Sequence, residues 1–320
     1  MRLLAIVSVL LIGATSCFGD TGDDHSTGPY TPATDDADVP DDIDAYEVGT
    51  SYRSETGYVE YIPGDIPIVV SVPHGGYKEP EAIDDRSGTT VQDAYTLELG
   101  EEFADAFYDH TDHRVHIINL LMARTKLDGN RDLDEGAEGD PLAETVWHEF
   151  QHFIDEAKTL ASDADRHALY LDLHGHGNPL QRVELGYLLI GNDLRNDDSD
   201  LDNLEYIEAS SIRTLYEQQP SEMAFSELLR GPDSLGGQLE ERGHASVPSP
   251  TIDAPEWYSI YFNGGYNTEV HGSRDGGSVS GIQIEAHRNV RFDEEDRLQF
   301  ADDLAEAVIE FADLHYEWDW

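Results

Sequence analysis

Three short apolar runs, each breaking off into histidine or a carboxylate, constrain this chain more than any other feature. IPIVVSV (66–72) runs into Pro-His-Gly-Gly, ALYLDL (168–173) into His-Gly-His-Gly, and GIQIEA (281–286) carries Glu285 and then His287 and Arg288. An unbroken apolar stretch of this length, bounded by Gly and Pro, reads as a strand buried on both faces. Longer segments of helical period lie between them, at 93–110, 141–161 and 293–314, with further strands at 114–122 and 184–190 and short helices in 201–242. Strands alternating with helices predict an α/β fold with a mixed, largely parallel twisted sheet flanked by helices. In such sheets the chemistry gathers at the carboxyl ends of the strands. The function is therefore to be sought where the apolar runs stop.

The strand ends deliver His74 beside Gly75 and Gly76, then Asp172, His174 and His176, then Glu285 and Arg288. The run at 114–122 leads into ARTKLDGNRD, which gathers Arg124, Lys126, Asp128, Asn130 and Arg131. Basic residues are scarce here, 19 Lys and Arg against 67 Asp and Glu, so three in one short loop suggest a purpose. Two imidazoles, a carboxylate and a separate glutamate at neighbouring strand ends make a catalytic zinc site with one open position. A rival motif is His148-Glu149-Phe150-Gln151-His152, which matches H-E-x-x-H. On a helix, however, Leu142, Val146, Phe150, Phe153, Ile154 and Ala157 form one apolar stripe, and His148 and His152 point away from it. A solvated helix face is the expected reading of that motif.

The net charge of −48 excludes partners that need a basic surface. A nucleic-acid binder must displace counterions from phosphates, and an anionic lipid surface repels such a chain. Acids spread along the whole length, with only Lys78, Lys126 and Lys158 as lysines, suit a protein kept soluble in a saline, halophilic habitat. The N-terminus predicts export. Arg2 precedes the apolar run 3–13, too short to span a bilayer, and small residues then lead to Cys17, the only cysteine. Residues 1–17 are read as a signal peptide of lipoprotein type, with lipidation of Cys17 the expected membrane attachment and simple cleavage the alternative. Residues 18–45, acidic and without Lys or Arg, read as a disordered tether, and 46–320 as one catalytic domain.

Taken in order, SVPHGG, DAYTLEL, NLLMARTKLDGNR, LDLHGHG with QRVELGY, FNGGY and IQIE resemble the N-formylglutamate amidohydrolase family, itself similar to zinc carboxypeptidases and aspartoacylase-like hydrolases. The resemblance spans about residues 66 to 290. It implies a zinc-carboxypeptidase-like fold, with His74 and His174 as zinc ligands. The third ligand falls on Asp93, since Tyr77 stands where the carboxypeptidases place a glutamate, with Glu98 the alternative and Glu79 and Glu81 behind it. Arg124 matches the position that polarises the scissile carbonyl, and Asn130 and Arg131 match a pair that grips a substrate carboxylate. Glu285 matches the general base and acid. Apart from the resemblance, Asp172, just before His174, is read as the partner that orients it. His176, Tyr266, His271 and Arg288 are candidates for lining the pocket. The function implied is an exported zinc hydrolase of an amide next to a carboxylate-bearing group. The competing class is a tethered binding protein that keeps the pocket without catalysis. Retention of both Glu285 and Arg124 speaks against it, since capture alone requires neither.

Overall fold

The computed structural model describes residues 37–162, 166–219, 223–316 and 318. The predicted signal, Cys17 and most of the tether lie outside them. The last part of that stretch is built into the fold: Ala37 bridges to Tyr52, Asp42 caps a short 3-10 turn at Ile43–Ala45, and the Tyr46 hydroxyl donates to Glu156.

Eight strands form one mixed sheet: β1 Tyr52–Arg53, β2 Val59–Ile62, β3 Ile68–Val72, β4 His116–Leu120, β5 Ala168–His176, β6 Val183–Gly186, β7 Ser246–Val247 and β8 Val279–His287. Their order across the sheet is β1-β2-β4-β3-β5-β8-β6-β7, with β4, β3, β5 and β8 parallel to one another. The central strands are buried along nearly their whole length, as their apolar composition requires. From β3 the chain crosses to β4 on one side, then returns to β5 on the other. A reversal of strand order opens a crevice at the carboxyl ends of the strands beside it. His74 and His174 emerge at the ends of β3 and β5.

The two faces of the sheet are covered by different helices. Helix α1, Thr96–Thr111, packs on one face, where Gly100 lies against Val72, Ile117 and Leu173. Helix α2, Pro141–Ala161, covers the other, burying Val146, Phe150, Phe153 and Ile154 in a cluster with Val69, Ile118, Leu120 and Tyr170. Asp140 caps α2, accepting from the backbone amides of Leu142 and Ala143, and Pro141 follows at its first turn. Helix α3, Tyr266–His271, packs on β5 and β8, and α4, Glu294–His315, packs along α1. Alternation along β5 therefore sends Leu169, Leu171 and Leu173 towards α1 and Tyr170, Asp172 and His174 towards α2 and α3.

Most predicted elements fall where the apolar pattern puts them, and the 141–161 helix has the same ends. The strand expected over 184–190 stops at Gly186, because Leu188 takes a left-handed φ of 66° and its amide turns to Asn263 O. The edge strands β1 and β7, and β2 between β1 and β4, are not among the predicted elements. No helix among the described residues is long and apolar enough to cross a membrane.

Candidate metal centre

Three side-chain atoms converge above the ends of β3 and β5. His74 Nδ1 and His174 Nδ1 are 3.1 Å apart, and Asp93 Oδ2 lies 3.4 Å from the first and 3.3 Å from the second. Two ligands of a tetrahedral zinc at about 2.0–2.1 Å stand about 3.3 Å apart, so the edges of this triangle fit one face of such a site. All three residues are buried. Asp93 sits in the loop before α1 and is held from behind by the Gly175 amide, 3.1 Å from Oδ2. The bare backbone at Gly175 matters here, since a Cβ would run into the guanidinium of Arg291.

The far nitrogens of both imidazoles meet carboxylates. His74 Nε2 is 2.6 Å from Asp128 Oδ1, and His174 Nε2 is 2.8 Å from Asp172 Oδ2. A metal-binding histidine usually gives its other N–H to such a group, which fixes the ring and makes its free nitrogen a better donor. Asp128 is itself held by the Asn130 amide and by Arg124 Nε at 3.0 Å. Asp172 accepts from the Ser71 hydroxyl at 2.7 Å. Burial alone would raise Asp93, yet hydrogen bonds and charge from His174 and His74 hold its carboxyl far below the usual range. Burial likewise opposes charge on His174, but Asp172 and Asp93 lift its pKa well above the ordinary value. A set of buried carboxylates around two imidazoles attracts a cation, and the residues fit zinc.

Glu285 completes the centre from β8. It pairs with His174 on one side and Glu184 on the other, which places the three side chains in one row across the sheet. Burial, with Asp93 and Glu184 adding, pushes its carboxyl up to about 8 against the pull of His174. A carboxyl near neutrality can both take up and release a proton. The cleft above has a volume of about 360 Å³, and Glu285, Arg124, Asn130, Arg131, His176 and the segment 261–265 line it.

The structure brings His74, Asp93, His174, Glu285, Arg124, Asn130 and Arg131 to one cleft, and it separates others. Arg124 reaches Asp93 Oδ1 at 3.5 Å as well as Asp128, so its guanidinium braces the centre while edging the cleft. The side chain of Arg131 is 41% exposed at its rim, whereas that of Asn130 turns inward: its Oδ1 accepts from the Asn267 backbone amide, and its Nδ2 lies 3.1 Å from His174 Nε2. His176 borders the cleft but spends both ring nitrogens on the turn that follows, on Arg182 O and the Asn178 amide. Glu98, the alternative ligand, binds the Tyr77 hydroxyl instead, and Glu79 takes the Thr125 hydroxyl. Tyr266 and Arg288 do not line the cleft: Tyr266 packs on Trp147, and Arg288 is exposed over Phe292. Of the two neighbouring arginines it is Arg291 that is buried, carried inward by the 3-10 turn Arg288–Val290 onto the carbonyls of Ala94, Ala286 and His176. His148 and His152 are exposed on α2 and Glu149 caps Thr56, so the H-E-x-x-H residues gather no metal site. Tyr261, Phe262 and Glu184 were not singled out from the sequence. Their place follows from a loop whose Phe262 amide donates to Glu184 Oε2, a contact with no local signature.

No family model matches the chain, and no curated protein matches it. Among solved structures it is similar to N-formylglutamate amidohydrolase from Ralstonia eutropha JMP134, at 15% identity and a TM-score of 0.48, over 80% of this chain and 97% of that one. It is also similar to succinylglutamate desuccinylase from Chromobacterium violaceum, at 12% identity and a TM-score of 0.36, over 87% and 73% of the two chains. A third is the N-acetylmuramyl-L-alanine amidase Ami1 from Mycobacterium smegmatis, at 13% identity and a TM-score of 0.35, over 76% and 95%. These are likenesses of outline between distant sequences.

Proposed function

We propose that the chain is an exported, zinc-dependent hydrolase of an amide bond next to a carboxylate-bearing group. The observation that carries this reading is the triangle of His74 Nδ1, His174 Nδ1 and Asp93 Oδ2, with a buried glutamate on the adjoining strand. A zinc ion held there would polarise the scissile carbonyl and acidify a water molecule. Glu285 takes the proton of that water on its carboxylate and returns it to the leaving nitrogen, which its environment suits. Arg124, fixed by Asp93 and Asp128, presents positive charge to the oxygen on which charge develops. Arg131, planar and partly exposed at the rim, receives the substrate carboxylate.

Metal analysis of the purified domain, before and after a chelator, combined with a panel of small amides, tests the reading. One zinc per chain and cleavage that a chelator abolishes are expected. Metal bound without turnover of any amide would favour the capture protein instead. Within the panel, an N-acyl amino acid with a free carboxylate should be cleaved better than its amide or ester. Arg131→Ala should raise KM for the free acid about tenfold, as loss of a charge-assisted hydrogen bond of about 1.5–3 kcal/mol implies. Equal cleavage of acid and ester would remove the carboxylate from the proposal.

Export rests on Arg2, the apolar run 3–13 and Cys17. Lipid labelling of the full chain in a bacterial host should be lost in Cys17→Ser, leaving the protein outside the cytoplasm but free of the membrane. Unchanged labelling would place the anchor elsewhere.

A further inference from the structure

On the side of β5 away from α1, a chain of hydrogen bonds leads out of the metal centre through the layer between sheet and helix. Asp172 Oδ1 accepts from Asn267 Nδ2 at 3.3 Å, Asn267 Oδ1 from Gln151 Nε2 at 3.1 Å, and Gln151 Oε1 faces His271 Nε2 at 2.7 Å. His271 Nδ1 in turn lies 3.2 Å from Lys158 Nζ, at a second cleft of about 450 Å³. Gln151, Asn267, Asp172 and His271 are all buried, and none belongs to the cleft that holds Glu285.

The direction of every link follows from its ends. A lysine ammonium only donates, so the nitrogen of His271 that faces it accepts and Nε2 carries the proton. Asp155, 3.4 Å from Lys158 Nζ and 3.5 Å from His271 Nδ1, takes its proton from the ammonium. The inner end demands the same direction: Asp172 only accepts, which turns both amides so that the Gln151 oxygen needs the Nε2–H of a neutral His271. Nε2–H then fixes the Gln151 oxygen towards the histidine and its NH₂ towards Asn267. Asn267 is fixed likewise, oxygen to Gln151 and NH₂ to Asp172. The carboxylate at the inner end only accepts, so it takes the Nε2–H of His174 on its other oxygen, 2.8 Å away; Asn130 Nδ2, farther off at 3.1 Å and itself only a donor, makes no hydrogen bond to a nitrogen so protonated. His174 is left with Nδ1 facing His74 and Asp93.

We propose that Lys158, His271, Gln151 and Asn267 form a one-way relay of donors that locks Asp172 and so turns His174 Nδ1 to the metal. They are positioning residues and touch no substrate. Aligned donors polarise one another, and a fully satisfied buried carboxylate holds its partner in one orientation. Asn267 also donates its backbone amide to Asn130 Oδ1 at 2.8 Å, which carries the same constraint to the loop behind His74. The effect on metal affinity rests on the proposed zinc centre, whereas the state of the His174 N–H does not.

The test uses both. In the metal-free protein, the His174 Nε2 proton held by Asp172 should be observed by nitrogen-edited NMR as a slowly exchanging downfield signal. Gln151→Glu keeps the shape and removes the NH₂ that donates to Asn267. It should accelerate exchange of that proton at least tenfold and weaken zinc or cobalt binding by up to about tenfold, below the ~10–100-fold for loss of the partner that touches the ligand directly. Lys158→Met, at the partly exposed outer end, is a substitution the fold accommodates if the buried one is not. It should move both readouts the same way by about threefold, as depolarising a hydrogen-bond chain implies. Wild-type exchange in Lys158→Met, or in a folded Gln151→Glu, overturns the relay. A wild-type protein that binds no metal overturns the hydrolase reading, and the exchange rates then decide the relay alone.

Discussion

His174→Ala is expected to leave the purified domain without stoichiometric metal and without amidase activity. His174 gives one corner of the donor triangle, and its ring meets Asp93, His74, Asp172 and Asn130 at once. Losing the outer partner of a ligand costs about 10–100-fold in metal affinity, so losing the ligand itself should cost ~10³-fold or more. Alanine also leaves Asp93 and Asp172 as buried carboxylates with one cationic neighbour fewer, which disfavours the folded state as well. Metal content after dialysis, with circular dichroism to establish folding, measures the effect. His148→Ala with His152→Ala should change neither metal nor activity, since both rings face solvent. If the α2 pair released the metal while His174→Ala retained it, the centre proposed here would be wrong.

Glu285→Gln should leave the metal in place and lower kcat by at least ~10²-fold, the usual cost of losing a general base. The amide has the size of the carboxylate and can still meet Gln283 Nε2, which lies 3.1 Å from Glu285 Oε1. It cannot take a proton from water. KM should move little, because Glu285 acts on the water and not on the substrate carboxylate. Near-normal turnover in the metal-loaded variant would remove Glu285 from the mechanism.

The centre was legible in the sequence because its residues sit where regular structure ends. His74, His174 and Glu285 lie at the ends of apolar runs that read as buried strands of one largely parallel sheet, and α2 shows in its apolar stripe over 141–161. Asp93 was reached through the resemblance, since nothing in the local pattern separates it from Glu98; what separates them is the direction of the loop before α1. Arg288 and Arg291 differ only by a 3-10 turn, which rotates one outward and the other inward. Periodicity is silent on such a turn. Tyr266 and the 261–265 segment are distinguished by loop path in the same way. The relay was beyond reach for another reason. Gln151 and His271 are far apart in sequence and meet only because α2 and α3 lie on the same face of the sheet.

The spacing of the ligands also sets when the centre comes into being during folding. His74 and His174 are 100 residues apart, and the parallel pairing of β3 with β5 that unites them encloses α1, β4 and α2. Contacts of such separation form late, because the entropy of closing the loop precedes any reward from them. A chain released only as far as α2 carries two of the three donors and none of the strand that aligns them. If the proposed centre holds a metal, its capture would be a clock for the central pairing: a bound ion first detected during refolding would mark the moment when β5 has inserted beside β3.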